Sequence, residues 1–309
     1  MAVFTHISQE QLAQHLVLYE IGGLVSFDGI NEGVENTNYK VLTQQNHFIL
    51  TLFEKRTQPE DLPFFIALMK HLHGRGIHCP DVIAAKNGDT IVSFAGKPAI
   101  ITSFLEGQGP RQIEDFHVSA VGQTLGKMHL AGQSFKMERH NAMSLPAWKH
   151  LIGRCVGKTD LQPLLQKELE YLRAHWPQDL PMGAVHADLF PDNVFFNGKD
   201  LTGVIDFYFA CTDTFAYDLM LTLNAWCFEL LGLNKHRAKL LLDAYQKERP
   251  LSEAEKKSLG FFGRAAAVRI IATRLYDWLH PVEGAVITPK DPQEYVRILK
   301  FHQTESFAV

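Results

Sequence analysis

Val185-His186-Ala187-Asp188-Leu189-Phe190-Pro191-Asp192-Asn193-Val194-Phe195-Phe196-Asn197-Gly198-Lys199-Asp200-Leu201-Thr202-Gly203-Val204-Ile205-Asp206-Phe207 interrupts a half of the chain that otherwise reads as helix. Val194 to Phe196 and Leu201 to Ile205 are short strand-like runs on either side of Asn197-Gly198, a dipeptide that supplies the positive φ angles of a tight hairpin turn. Folding the hairpin about Asn197 to Asp200 returns Ile205 and Asp206 to the level of Asn193. Asp188 precedes Asn193 by five residues across a loop containing Pro191, so it reaches the same point from another direction. Three oxygen-bearing side chains, Asp188, Asn193 and Asp206, are thereby expected around one small volume.

Hard oxygen ligands of mixed charge suit Mg²⁺, which keeps several waters and shares its shell with substrate phosphates. The spacing of Asp188 and Asn193 is that of the kinase catalytic loop H-R-D-x-x-x-x-N, with His186-Ala187-Asp188 in the first three places and Asp206-Phe207 where D-F-G would begin. On that pattern Asp188 receives the proton of an attacking hydroxyl, and Asn193 and Asp206 hold Mg²⁺ on the phosphates of ATP. His186 is expected to orient the loop. Turn formation would also explain isolated Asp and Asn residues, and it suffices for Asp192 beside Pro191, but it does not account for the match at both ends of the hairpin.

Outward from this segment the texture of the chain changes near residue 107. Before it, Gly22 to Phe27, Tyr39 to Thr43, Phe48 to Phe53, Thr90 to Phe94 and Ala99 to Phe104 read as strands, with short polar turns at Gln44 to Asn46 and Ala95 to Pro98. Between them Glu60 to Gly74 carries Leu62, Phe65, Leu68, Met69 and Leu72 at helical spacing. After Glu106-Gly107-Gln108-Gly109-Pro110, helices are expected at Phe116 to Ala131, Asp160 to His175, Tyr217 to Leu231, Lys235 to Lys247, Ser252 to Leu279 and Pro292 to Phe301. The fold class is therefore α+β, a two-lobe arrangement: a small antiparallel sheet lobe over residues 1–105 and a larger helical lobe over 106–309.

Composition narrows the partners. The sequence is 46% hydrophobic and 21% charged, which fits a globular chain and excludes a disordered one. A net charge of -4 provides no broad basic field for nucleic acid or anionic lipid. The longest stretch without Asp, Glu, Lys or Arg, Val41 to Phe53, falls short of the ~18 apolar residues of a spanning helix, so no membrane segment is expected. With no basic leader before an apolar run, the protein is expected in the cytoplasm. Cys79, Cys155, Cys211 and Cys227 lie at wide, unequal intervals and read as reduced packing residues. No pair among the 15 histidines has metal-ligand spacing on a helix.

The motifs VHADLFPDNVFF and VIDF, together with LGKMHLAG at Leu125 to Gly132 and the Tyr217-Asp218-Leu219 run, resemble the aminoglycoside-phosphotransferase and choline-kinase-like superfamily over almost the whole chain. The segments GVENTNY, FILTLFEK, EDLPFFIALMKHLHGRGIHCP, GKPAIITSFLEG and RLYDW resemble, within it, the bacterial homoserine kinase branch. The resemblance implies the two-lobe protein-kinase-like fold and transfer of the ATP γ-phosphoryl group to the side-chain hydroxyl of L-homoserine, a step of threonine biosynthesis. It implies Asp188 as the catalytic Asp, Asn193 and Asp206 as Mg²⁺ ligands, and nucleotide contacts from Asn36 and Asn38 in the loop after the first strand. The Ile101 to Leu105 strand would be the adenine hinge, with Ser103 and Leu105 as contacts. One departure stands out: Thr51 occupies the strand position where relatives place a Lys or Arg for the phosphates. Lys40 and Lys55 are the candidate replacements, and Glu60 the carboxylate that would pair with such a cation. An amino-acid acceptor also needs a partner for its carboxylate, for which Arg264 and Arg269 are the candidates among the arginines of the last long helix. The alternatives are another small alcohol as acceptor (choline, hydroxylysine, methylthioribose or an aminoglycoside) or a nucleotide-binding protein of the same fold without turnover.

Overall fold

A computed structural model describes residues 3–30, 36–54, 57–281 and 289–305. The chain divides into two compact units, one from the N-terminus to Glu106 and one from Gly107 to the C-terminal helix.

The first unit opens with a helix, α1 (Gln9–Leu16), whose Ser8 and Gln11 cap each other's backbone in a capping box. The strands β1 (Leu24–Ile30), β2 (Thr37–Thr43) and β3 (His47–Leu52) follow, then the helix α2 (Leu62–His73), the two-residue β4 (Val82–Ile83), and β5 (Val92–Phe94) and β6 (Lys97–Ser103). All pairings are antiparallel, in the order β1-β2-β3-β6-β4, with β5 hydrogen-bonded to the other end of β6. Phe94 pairs with Lys97, which leaves Ala95 and Gly96 as a two-residue turn with φ of 49° and 75°, the primed geometry that suits strand twist. Side chains alternate across the pleat, so Tyr39, Val41, Leu50, Leu52, Ala99 and Ile101 gather on one face with Leu12 and Leu16 of α1. α2 buries Phe64, Phe65, Leu68, Met69 and Leu72.

The second unit is helical with small strand pairs inserted. Its helices are α3 (Asp115–Gln133), α4 (Leu145–Arg154), α5 (Gln162–His175), α6 (Phe215–Cys227), α7 (Lys235–Glu248), α8 (Glu253–Leu279) and α9 (Gln293–Thr304). Strand β7 (Met182–Val185) pairs with β10 (Cys211–Thr214), and the hairpin β8 (Val194–Asn197) with β9 (Asp200–Val204) lies between them in sequence. A short hairpin of β11 (Phe228–Glu229) and β12 (Gly232–Leu233) follows α6. The helix expected to continue to Leu231 therefore stops at Cys227. Leu230 and Leu231, the apolar residues that suggested continuation, sit fully exposed at the hairpin tip. α3 and α7 pack at backbone distance because Gly122 and Gly126 carry no Cβ: one added at Gly122 would run into the Leu241 carbonyl. Among the described residues no helix is long and apolar enough to cross a membrane. The four cysteines are free and buried.

α9 closes this core through His302, whose ring fills the space beside Gly263. The Asn224 amide donates to the Gly263 carbonyl at 3.0 Å, so its oxygen accepts from His302 Nε2 at 2.8 Å. Burial lowers the His302 pKa from 6.5 to about 4. The imidazole is neutral in the fold and charges more readily in the unfolded chain. Stability is thus full above pH 6.5 and falls as the pH drops towards 4, by up to about 3 kcal/mol from this group. Thermal melts from pH 7.5 to 4.5 should show that loss, and His302→Gln should flatten the curve. An unchanged slope would remove His302 as its source.

Candidate active site

The hairpin expected from Asn197-Gly198 forms with Asn197 opposite Asp200 and Gly198 at φ 59°, and Val194 opposite Val204. The next residues close the ladder: Ile205 N–H donates to the Asn193 carbonyl at 3.0 Å. Pro191–Asn193 form one turn of 3₁₀ helix before β8, which brings Asn193 back onto Asp188. The Asn193 amide nitrogen donates to the Asp188 carbonyl at 2.9 Å and to its carboxylate Oδ2 at 3.3 Å. With the nitrogen so committed, the oxygen, a hard donor, is the remaining end of the amide.

His186 joins the two halves of the motif. Asp188 N–H donates to its Nδ1 at 3.2 Å, so the proton resides on Nε2, which donates to the Ile205 carbonyl at 3.0 Å. Burial pushes its pKa down, and a neutral ring with both nitrogens bonded has no part in proton transfer. It ties the loop of Asp188 to the residue before Asp206.

Two residues at this junction adopt the left-handed conformation although they carry a Cβ: Ala187 at φ 61° and Asp206 at φ 65°. Such strain is held only where the surroundings over-determine it. For Ala187 the surroundings are visible. Asp218, wholly buried on α6, accepts from His186 N–H at 3.1 Å and from Ala187 N–H at 2.9 Å. Burial raises the Asp218 pKa, but the hydrogen bonds it accepts from the His129 ring and the His186 amide favour the ionised form, and the carboxylate titrates below its ordinary range. Behind it runs a buried chain of polar groups. His129 Nε2 donates to Asp218 at 3.0 Å, Tyr245 hydroxyl donates to His129 Nδ1 at 2.7 Å, and Arg249 donates to Tyr245 at 2.9 Å while pairing with Glu255 at 2.8 Å. Trp226 adds a bond from its indole to the Leu189 carbonyl at 2.8 Å.

The arginines of α8 are each already paired within the protein. Arg264 is bonded bidentately to Glu168, at 2.5 and 2.8 Å, over the ring of Tyr171. An internal carboxylate already fills its fork. Arg269 is buried against Ala187 and Asp188 themselves, so it also is no free clamp. Arg274 pairs with Glu294 at 2.6 Å. Asp192, read as a turn residue, is exposed and pairs with Lys290.

In the first unit the residues expected on the nucleotide are partly engaged. Asn36 Oδ1 accepts from the Glu54 amide at 3.2 Å, and Asn38 Oδ1 accepts from Thr51 hydroxyl at 2.7 Å across β2 and β3. Ser103 is bonded to Asp81 through both its amide and its hydroxyl. Leu105 follows the end of β6 and is half-buried. Thr51 is confirmed as a buried hydroxyl in β3. Lys40 lies over the Phe104 ring at 4.2 Å, and Lys97 pairs with Glu54, which also accepts from Thr5 and Thr37 hydroxyls at 2.7 Å each. Glu60 is exposed in the turn before α2. Lys55, Gly33 and the rest of the Asn31 to Glu35 stretch lie outside the described residues.

The donor set fits a cation that borrows most of its shell. Asp206 and Asn193 offer a carboxylate and an amide oxygen, and among the described residues no three His, Cys, Asp or Glu side chains form a cage. Mg²⁺ is commonly held by one or two protein oxygens, with phosphate and water completing the octahedron.

Residues 26–251, which contain this whole constellation, match the model of the phosphotransferase enzyme family. The chain belongs to that family. Its phosphotransferase relatives include the homoserine kinase of Rhodopseudomonas palustris, 50% identical over 98% of this chain and 95% of its own length. The homoserine kinase of Nitrobacter winogradskyi is 51% identical over the same shares. Among solved structures, an amicoumacin kinase in complex with AMP-PNP, Ca²⁺ and Ami superposes with a TM-score of 0.74, covering 96% of this chain and 93% of that one at 14% identity. A spectinomycin phosphotransferase in complex with ADP and spectinomycin gives 0.71, covering 96% and 94%, also at 14%. At such identity these structures establish the shared two-lobe phosphotransferase fold.

Proposed function

We propose that this chain is an ATP-dependent phosphotransferase that transfers the γ-phosphoryl group to the side-chain hydroxyl of L-homoserine, giving O-phospho-L-homoserine. The observation that carries the reading is that homoserine kinases half identical to the chain align over nearly its full length, with the Asp188, Asn193 and Asp206 constellation intact within it.

Asp188 is the group that meets the acceptor. Its carboxylate would accept the hydrogen bond of the attacking hydroxyl and receive its proton as the new O–P bond forms and the bond from the γ-phosphorus to the β,γ-bridging oxygen breaks, releasing ADP. Asn193 and Asp206 would hold Mg²⁺, which when bound neutralises charge on the phosphates. His186 and Asp218 keep the loop in the shape that presents Asp188. On the nucleotide side, the amide of Ser103 is already paired within the sheet, so the backbone of Leu105 is the better adenine contact. Asn36 and Asn38 shape the strand ends around the phosphate loop more than they contact phosphate. This last reading changes the roles first expected of them, for the physical reason that their oxygens are already bonded.

The test compares kcat/KM for L-homoserine, its methyl ester and 1,3-propanediol at fixed ATP. A site that pairs both charged ends of an amino acid leaves buried charge unmatched when either is missing, so the diol should fall by ~10³-fold or more. Equal values for all three, or a preference for choline, would exclude homoserine as the acceptor.

A further inference from the structure

We infer that Arg269 is a positioning residue for phosphoryl transfer, gripping the loop of Asp188 by a carbonyl where Asp218 holds its amides; this rests on the role of Asp188 proposed above.

Arg269 lies in the middle of α8 with Val268, Ile270, Ile271 and Ala272 buried around it, and its own side chain is 3% exposed. A guanidinium there costs free energy unless its charge and donors are matched, and an apolar side chain of similar volume would pack as well or better. The pairing it makes is specific. One terminal nitrogen donates to the Ala187 carbonyl, the other donates to Asp188 Oδ1 at 3.2 Å, and the plane faces the ring of Phe209 at 5.3 Å, three residues beyond Asp206. Asp188 is the carboxylate within ion-pair distance of it among the described residues.

The left-handed residue Ala187 is thus held from both ends: its N–H by the anion Asp218 of α6, its carbonyl by the cation Arg269 of α8. The second prong of the fork then fixes the carboxylate of the next residue. With Oδ1 on Arg269 and Oδ2 within 3.3 Å of the Asn193 amide, the Asp188 rotamer is set, while its side chain keeps 20% exposure, enough for an acceptor hydroxyl to reach it. A lysine presents its three donors from a single nitrogen and lacks the planar fork that meets a carbonyl and a carboxylate on consecutive residues from two separate nitrogens. The fork, more than the charge, is what the site uses.

The experiment measures initial rates of ADP release for the wild-type enzyme, Arg269→Lys, Arg269→Met and Arg269→Ala with L-homoserine and ATP as varied substrates, alongside melting temperatures. A misaligned Asp188 should lower kcat by ~10²-fold in Arg269→Met and by roughly tenfold in Arg269→Lys, with the KM for ATP within about threefold of wild type. In Arg269→Ala, added methylguanidinium should restore kcat saturably, by about tenfold or more, because it returns the fork to its cavity. Wild-type kcat in Arg269→Lys, or a raised KM for ATP at unchanged kcat, would overturn the inference. Should the Met and Ala variants not fold, the division between kcat and KM in Arg269→Lys decides the question by itself. A wild-type enzyme that releases no ADP with homoserine would count against the acceptor instead, and the same comparison would then run with the alcohol that supports turnover.

Discussion

Asp206→Asn should lower turnover by ~10³-fold or more while leaving the melting temperature near that of the wild type, because it removes the carboxylate proposed to hold Mg²⁺ against the charge that builds on the phosphoryl oxygens. Asn is the right substitution here. Asp206 adopts φ 65°, a conformation that Asn tolerates and that strains most residues with a Cβ. Asp206→Ala would therefore combine a backbone cost of ~1 kcal/mol with the loss of charge. The same reasoning predicts that excess EDTA abolishes activity in the wild-type enzyme and that added Mg²⁺ restores it. Full activity of Asp206→Asn, or of the wild type in EDTA, would remove the metal assignment.

Asp188→Asn should lower kcat by ~10² to 10⁴-fold with little change in the KM for ATP, since a base acting on the acceptor hydroxyl contacts no part of the nucleotide. The structure adds a second expectation. Arg269 is 3% exposed and is paired with Asp188, so replacing that carboxylate leaves a buried guanidinium without its counter-charge, at a cost of about 3 kcal/mol. Loss of kcat should be accompanied by a melting temperature several degrees lower. Combining Asp188→Asn with Arg269→Met should recover much of the stability and none of the activity. A variant that loses ATP affinity but keeps kcat would place Asp188 on the nucleotide.

The backbone of the candidate site is legible because its signals are local. Asn197-Gly198 fixes a hairpin, and a hairpin fixes that Ile205 lies beside Asn193, as the 3.0 Å bond between them bears out. The longer helices were readable from their apolar spacing. α1 and α4 were not, because α1 spans 8 residues of which three are Gln and α4 spans 10 with Lys149, Arg154 and a glycine among them, too few turns for a stripe to stand out. β7 and β10 pair across 25 residues of intervening chain, a non-local contact that no window along the sequence contains. The internal pairing of the arginines has the same cause: that Arg269 and not Arg264 meets Asp188 depends on how α8 is rotated against α5 and the loop. A sharper signal was available for Asp218. It is the lone carboxylate in FAYDLMLTLNAWC, a helix otherwise fit for complete burial, and an ionised group in such a place requires partners of comparable strength.

The two-sided hold on Ala187 separates chemistry from recognition. The reactive loop takes its shape from groups inside the protein, Asp218 on its amides and Arg269 on its carbonyl, and none of these need touch the alcohol being phosphorylated. Acceptor preference can then drift through substitutions elsewhere in the helical unit without rebuilding the step they serve. Kinases of amicoumacin and spectinomycin superpose on this chain at 14% identity, so the fold that carries the loop tolerates wide change in the sequence around it.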